Sequence, residues 1–335
     1  MESLVSTRTP PVTKHYTALV ETFPSMAGKT VMITGCTSGM GLVLARTCGG
    51  LGAKVVMLNR PSERAERALQ DLKARDMDAV LVPCDLSSFA SVRAAGAILR
   101  RDFADKGCDV LCNNAGIMGM ADKATMDGFD VQMQANHLSH FLLTHEVWPL
   151  LEKAAQLRGE ARVVNHSSLA RKKPNRPLLA KYLRANGGNL GGDGFPGLQK
   201  WVRYQQSKLA NLMFTYALCD QIKQRPENKI KVLCAHPGPA DSGLQAKTAK
   251  SGGDRWLDRF ILSSTLKIAQ STEDGTCGIA RCCCEPGVES GSFYGPDPQA
   301  RVGPAILLPT ERNGDFERLL WDESLKATGI DRYFG

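Results

Sequence analysis

The sequence predicts a doubly wound α/β fold, with a parallel sheet covered by helices on both faces. Three observations carry this. Six short apolar runs alternate with segments of helical spacing, glycines cluster at the first strand-to-helix junction, and no second set of core-forming segments follows. Composition agrees: 43% hydrophobic and 23% charged residues, with 32 Gly and 17 Pro, describe a compact globular chain and exclude a disordered, collagenous or coiled-coil one. A length of 335 residues suits one large α/β domain.

Residues 1–27 are polar, contain three prolines and show no clean period, so they read as an arm ahead of a single domain over 28–335. Thr30 to Thr34 is a first strand, and Leu42, Ala45 and Leu51 give the next segment helical spacing. Ala53 to Asn59 is a second strand, followed by a charged helix with Pro61 near its start and a third strand from Ala79 to Leu86. The alternation continues through the helix SSFASVRAAGAILRRDF, the strand CDVLCNNAG and a long helix from about Gly128 to Lys153. The strand ARVVNHSS, a helix from about Tyr204 to Lys223 and the strand KIKVLCAHPG complete it. Two long interruptions, an insertion over 171–203 and a stretch over 239–270, follow strand ends, where such folds bind ligands.

A formal charge of +8 suits anionic ligands but is not gathered into the stripes that bind nucleic acid, so no nucleic-acid partner is expected. No window is apolar enough for a transmembrane segment, and the N-terminus lacks the apolar stretch of a secretory signal. Eleven cysteines, an odd number without metal-ligand spacing, read as buried thiols in a reducing compartment, whether cytoplasm, plastid or mitochondrion. Cys282, Cys283 and Cys284 are consecutive, so on a helix they diverge and cannot share one ion. His137, His140 and His145 contain no i,i+4 pair, and no metal site is expected.

The run from Thr34 and Gly35 through Thr37, Ser38, Gly39, Met40 and Gly41 lies at the first strand-to-helix junction. Glycines there allow a tight turn and close approach of backbone to a pyrophosphate, which the helix N-terminus then attracts. After the second strand, where an NAD site would place an acid, stand Asn59 and Arg60. A guanidinium with no neighbouring acid fits a 2′-phosphate, so the expected cofactor is NADP(H).

TGCTSGMG, the Asn113-Asn114-Ala115-Gly116 run, Asn136, Ser167-Ser168, Tyr204-x3-Lys208 and Pro237-Gly238 resemble, in order and spacing, the short-chain dehydrogenase/reductase superfamily from about residue 29 to 240. DGFDVQMQANHLSHFLLT, RVVNHSS and YQQSKLANLMFT look most like its retinol-dehydrogenase-like branch, which includes relatives of protochlorophyllide reductase; NNAG argues against that light-driven activity. The resemblance implies Tyr204 as the acid/base, Lys208 as the cation that favours its phenolate and binds nicotinamide ribose, and Ser168, with Ser167 as alternate, on the substrate oxygen. It implies Asn136 holding a relay water, Asp85 and Leu86 framing adenine, and Asn113, Ala115 and Gly116 lining the cofactor cleft. Pro237 and Gly238 would flank the nicotinamide, with Ser242 where relatives often carry Thr.

Tyr204 follows Ser168 by 36 positions, far more than in most such enzymes, so the 171–203 insertion adds an element beside the substrate mouth and a surface for a second copy or a protein partner. Trp256, Phe260 and Leu266 share a helical face in the 239–270 stretch and suggest a lid over an apolar pocket. The expected activity is hydride transfer between NADPH and a carbonyl or alcohol of a lipophilic small molecule. The alternative is a non-catalytic NADP(H)-binding subunit or assembly protein that keeps the fold.

Overall fold

The computed structural model describes residues 10–194, 197–225, 229–241, 243 and 266–334. The arm contributes a short helix, α1 (Tyr16–Val20). Then come β1 (Thr30–Thr34), α2 (Gly39–Gly50), β2 (Lys54–Asn59), α3 (Glu63–Lys73), β3 (Ala79–Pro83), α4 (Phe89–Asp102) and β4 (Val110–Asn113). A helix opening at Val131–Met133 passes through a π turn, Gln134–Leu138, into α5 (Ser139–Glu146), which is followed by α6 (Trp148–Arg158) and β5 (Ala161–His166). The remainder is α7 (Gln199–Lys223), β6 (Ile230–Ala235), α8 (Thr272–Cys284), β7 (Phe293–Pro296), β8 (Ala305–Leu307) and α9 (Gly314–Thr328).

One sheet runs in the order β3-β2-β1-β4-β5-β6-β7-β8. Every neighbouring pair is parallel except β7 with β8. The chain reverses direction across the sheet between β1 and β4, which opens a crevice at their carboxyl ends. β1, β4 and β5 are buried throughout, as strands covered on both faces must be. One core layer packs β-sheet residues such as Met32, Leu111 and Val163 against α4 to α7, and the other packs Ile33, Cys112 and Val164 against α2 and α8.

Three differences from the expected elements have local causes. The last two strands of the sheet, β7 and β8, span only four and three residues, too few for periodicity to reveal. The long helix expected to run to Lys153 breaks at Val147, and α6 restarts with Pro149 in its first turn, where no intrahelical N–H is needed. Helix α7 begins at Gln199, inside the insertion, five residues before Tyr204. The arm is tied down because Asp274, in the first turn of α8, accepts the backbone N–H groups of Lys14, His15 and Tyr16 at 2.9, 2.8 and 3.0 Å. All eleven cysteines are free and buried. Ser242 and most of the expected lid, including Trp256 and Phe260, lie outside the described residues.

Candidate active site

β1 delivers Thr34 to the crevice and the chain turns through Gly35 to Gly41 into α2. Gly35 has φ +70°, and a Cβ there would sit 2.8 Å from Ala115; one on Gly41 would sit 2.4 Å from the Gly35 carbonyl oxygen and 2.5 Å from Asn114 Nδ2. No side chain fits at either position. The turn therefore leads bare backbone to the α2 N-terminus, whose first N–H groups have no intrahelical acceptor. Thr37, Ser38, Gly39 and Met40 line it half-buried.

Three residues expected at the cofactor put their side chains into the framework beneath it. Thr34 Oγ1 accepts the N–H groups of Asn114 and Ala115, both at 3.0 Å, and lies 2.9 Å from His140 Nε2. Asn59 Oδ1 accepts the Cys36 N–H at 3.0 Å, while its Nδ2 faces Cys36 Sγ at 3.2 Å. Asn113 Nδ2 donates to Thr144 Oγ1 at 3.1 Å and to Asn165 Oδ1 at 2.9 Å. Arg60, one residue beyond Asn59, is exposed at the end of β2. Beyond β3, half-buried Asp85 accepts the N–H and hydroxyl of Ser87 at 2.9 and 2.7 Å, and the Leu86 carbonyl accepts the Ser139 hydroxyl at 2.7 Å. Pro237 and Gly238 follow β6; Gln270 Nε2 donates to the Pro237 carbonyl at 2.8 Å, and Gly238, at φ +64°, leaves only 2.4 Å between a would-be Cβ and the Arg301 carbonyl oxygen.

The end of β5 carries the serine pair. Ser167 turns its hydroxyl to the Lys208 carbonyl at 2.7 Å, inside the fold. Ser168 accepts the Ala170 N–H at 3.1 Å and lies near enough to the Tyr204 phenol to favour its phenolate, which singles it out from Ser167. Tyr204 and Lys208 stand one turn apart on α7, and both are buried. Burial pushes the Tyr204 phenol up to about 12, against the pull of Ser168, and pushes Lys208 down to about 8. Lys208 Nζ donates to the His166 carbonyl at 3.0 Å.

Gly116, after β4, closes the group: a Cβ there would lie 3.1 Å from Lys208 Nζ and 3.4 Å from Asn136 Oδ1. Asn136 sits in the π turn, a distortion that recurs at functional sites. Its Oδ1 accepts the Ile117 N–H at 2.8 Å, and its Nδ2 donates to the Ile117 carbonyl and Ser207 Oγ, each at 2.9 Å. The side-chain amide therefore clamps the loop after β4 onto α7. The carbonyl of Asn136 accepts His140 Nδ1 at 3.0 Å.

Sequence reasoning overlooked His166. Asn114 Nδ2 donates to the Thr34 carbonyl at 2.9 Å, so its Oδ1 faces His166 Nδ1 at 3.0 Å and fixes that nitrogen as the protonated one. His166 Nε2 is then an acceptor, buried and without a hydrogen-bond partner; burial pushes the imidazole down to about 3, keeping it neutral. The only signal was a histidine directly before the Ser pair. A cradle with no room for Cβ, an open helix N-terminus and an orphaned acceptor beside Lys208 all fit a nicotinamide dinucleotide. Metal chemistry has no comparable support: among the described residues no group of three His, Cys, Asp or Glu is placed to hold an ion, and His137 Nε2 and His145 Nδ1 are engaged by Ser324 and Tyr333.

Comparison with known proteins bears on the same residues. A family model described as short chain dehydrogenase matches residues 29–183. Retinol dehydrogenase 14 of Mus musculus is 32% identical over 319 residues, covering 91% of this chain and 87% of that relative. The chain is a short-chain dehydrogenase/reductase. Retinol dehydrogenase 11 of Homo sapiens, 30% identical with 91% and 87% coverage, places this short-chain dehydrogenase/reductase in the retinol-dehydrogenase-like branch. Among solved structures, an uncharacterized protein from Mycobacterium Paratuberculosis superposes with a TM-score of 0.69 at 28% identity, over 92% of this chain and 97% of its own. The enzyme thus belongs to a family that uses a nicotinamide cofactor and acts on alcohols and carbonyls. No helix among its described residues is long and apolar enough to cross a membrane.

Proposed function

We propose that this short-chain dehydrogenase/reductase prefers NADP(H) and transfers hydride between its nicotinamide and a carbonyl or alcohol of a lipophilic small molecule. The observation that carries the reading is the convergence of Ser168, Tyr204 and Lys208 at the carboxyl edge of β4 and β5. A bound nicotinamide supplies or accepts the hydride. Ser168 holds the substrate oxygen, and Tyr204 gives that oxygen a proton during reduction or takes one during oxidation. Lys208 holds the nicotinamide ribose and carries positive charge next to the phenol. For NADP(H), Asn59 is turned inward and Arg60 is exposed, so β2 ends in a guanidinium and not in the acid that an NAD site would place there. Preference for a lipophilic substrate draws on the retinol dehydrogenases among its relatives and on the Trp256, Phe260 and Leu266 stripe in the sequence.

The test is stopped-flow NADPH oxidation against retinal and a panel of aldehydes, ketones and quinones, with Tyr204→Phe and Arg60→Ala alongside. Tyr204→Phe should abolish turnover and leave NADPH affinity nearly unchanged. NADPH should bind about 1.5–3 kcal/mol more tightly than NADH, and Arg60→Ala should erase most of that difference. A parent protein that binds NADPH but reduces nothing in the panel would instead favour a binding or assembly role.

A further inference from the structure

The last sheet bond of β5 on this side is the Ser167 N–H to the Ala235 carbonyl, so the sheet does not fix Ser168 itself. Ser168 is held by the turn that follows it, and that turn is held by two distant parts of the chain. The Ser168 carbonyl accepts both the backbone N–H of Arg171 at 3.2 Å and Arg171 Nη1 at 2.9 Å. Arg171 is the first residue of the insertion, and its side chain is only 2% exposed. Its Nε and Nη2 meet the two carboxylate oxygens of Glu311 at 2.9 and 2.7 Å, a bidentate pair, while the guanidinium lies 4.6 Å over the Phe293 ring. Lys172 Nζ adds a second cation to Glu311 at 2.8 Å. Gln205, the neighbour of Tyr204, donates to the Arg171 carbonyl at 2.8 Å, and the Glu311 N–H donates to the Tyr216 hydroxyl on the same helix at 3.2 Å. Ser168, Arg171, Glu311 and α7 therefore form a closed ring of contacts.

We propose that the Arg171–Glu311 pair is a positioning device for the reaction, through which the C-terminal segment after β8 sets the Ser168 hydroxyl against the Tyr204 phenol. The inference rests on the roles proposed above for Ser168 and Tyr204. Its physical reason is the insertion. A 3-10 turn that runs straight into a long insertion is not continued by a helix or strand of its own, and the guanidinium that pairs with Glu311 and reaches back to the serine carbonyl adds to the hold that α7 has on it.

The experiment compares the parent, Glu311→Gln, Arg171→Lys, Ser168→Ala and the double variant Glu311→Gln/Ser168→Ala. Glu311→Gln should lower kcat about tenfold with the NADPH dissociation constant unchanged. Arg171→Lys, which keeps the charge and loses the bidentate geometry, should fall between it and the parent. In the Ser168→Ala background, Glu311→Gln should add no further loss, because the group it positions is gone. Hydrogen exchange gives a readout that needs no substrate: amides 168–172 should exchange faster in Glu311→Gln while β1 and β4 keep their protection. A kcat within twofold of the parent, or a loss that adds fully to that of Ser168→Ala, would overturn the proposal. If the parent turns over no substrate, the reaction assignment above fails, and unchanged exchange at 168–172 would by itself overturn the anchor. Should Glu311→Gln not fold, Glu311→Asp, which retains the charge at a shorter reach, takes its place in both measurements.

Discussion

Lys208 is a cation enclosed by protein, and its energetics can be read without any substrate. Its pKa is pushed down to about 8 by burial, below the ordinary lysine value, so between about pH 8 and 10.5 the folded protein binds fewer protons than the unfolded chain. The Lys208 contribution to the stability of the cofactor-free enzyme should therefore rise with pH through that window, by up to about 3 kcal/mol, and stay level below pH 8, where both states are charged. Buried thiols such as Cys36, Cys84 and Cys234, pushed up to about 12 by burial, lose stability as the unfolded chain ionises over the same range. Urea denaturation from pH 7 to 10 on the parent and on Lys208→Met checks this, since the stability of the parent relative to the variant should rise through the window. His166 and His236, each pushed down to about 3 by burial, stay neutral through the same range, and the thiols, common to parent and variant, cancel in the comparison. The residue types of this site were legible because a Tyr and a Lys one helical turn apart, together with a Ser pair at a strand end, form a joint pattern. Which serine faces the phenol was not legible, since Ser167 and Ser168 differ only in the side of the extended chain to which each hydroxyl turns.

At the level of elements, the turn between β1 and α2 is held by a lattice of polar contacts that starts from Thr34 and Asn114 and runs through His140 and Asn59. Gly41→Ala, which forces a Cβ to within 2.4 Å of the Gly35 carbonyl oxygen, should weaken NADPH and NADH binding alike. It should also lower stability by about 1–3 kcal/mol. Gly314→Ala, where an added Cβ meets nothing within 4 Å, is the control that should change neither. Fluorescence titration with both cofactors and thermal melts separate the outcomes, and a Gly41→Ala variant that loses NADPH alone would contradict this account of the turn. The glycines were legible in the sequence because backbone geometry forbids the alternatives locally. The π turn under Asn136 was not, because one extra residue in a helical turn leaves apolar spacing nearly unchanged.

Across the molecule, the C-terminal residues close a ring cluster on the far side of α5 from the crevice. Tyr333 packs its ring, tilted, at 4.7 Å against both Phe141 and Trp321, donates its hydroxyl to the Phe141 carbonyl at 3.0 Å and receives His145 Nδ1 on its own carbonyl at 2.8 Å. Tyr333→Ala should cost about 3–5 kcal/mol, the usual loss for a large buried ring. It should lower the melting temperature by several degrees while leaving NADPH affinity intact below the transition. A variant that melts with the parent would show the cluster to be incidental. The same C-terminal region supplies Glu311, so the part of the chain beyond the 29–183 match contributes both to stability and to the surroundings of the site.

The sequence by itself determined the doubly wound fold, the glycine turn between β1 and α2 and the grouping of Ser, Tyr and Lys, because each depends on spacing within one or two neighbouring elements. Tertiary structure alone decided what those residues touch. Asn59 and Thr34 serve the framework because β2 and β1 end buried, and Asn136 is taken up by Ile117 and Ser207 because the π turn aims it there. Arg171 meets Glu311 across 140 positions of chain, and the strands β7 and β8 that lie between them in sequence are too short to announce themselves. Local pattern reports backbone geometry and residue type. Partners separated by most of a fold are set by packing, which no window of sequence contains.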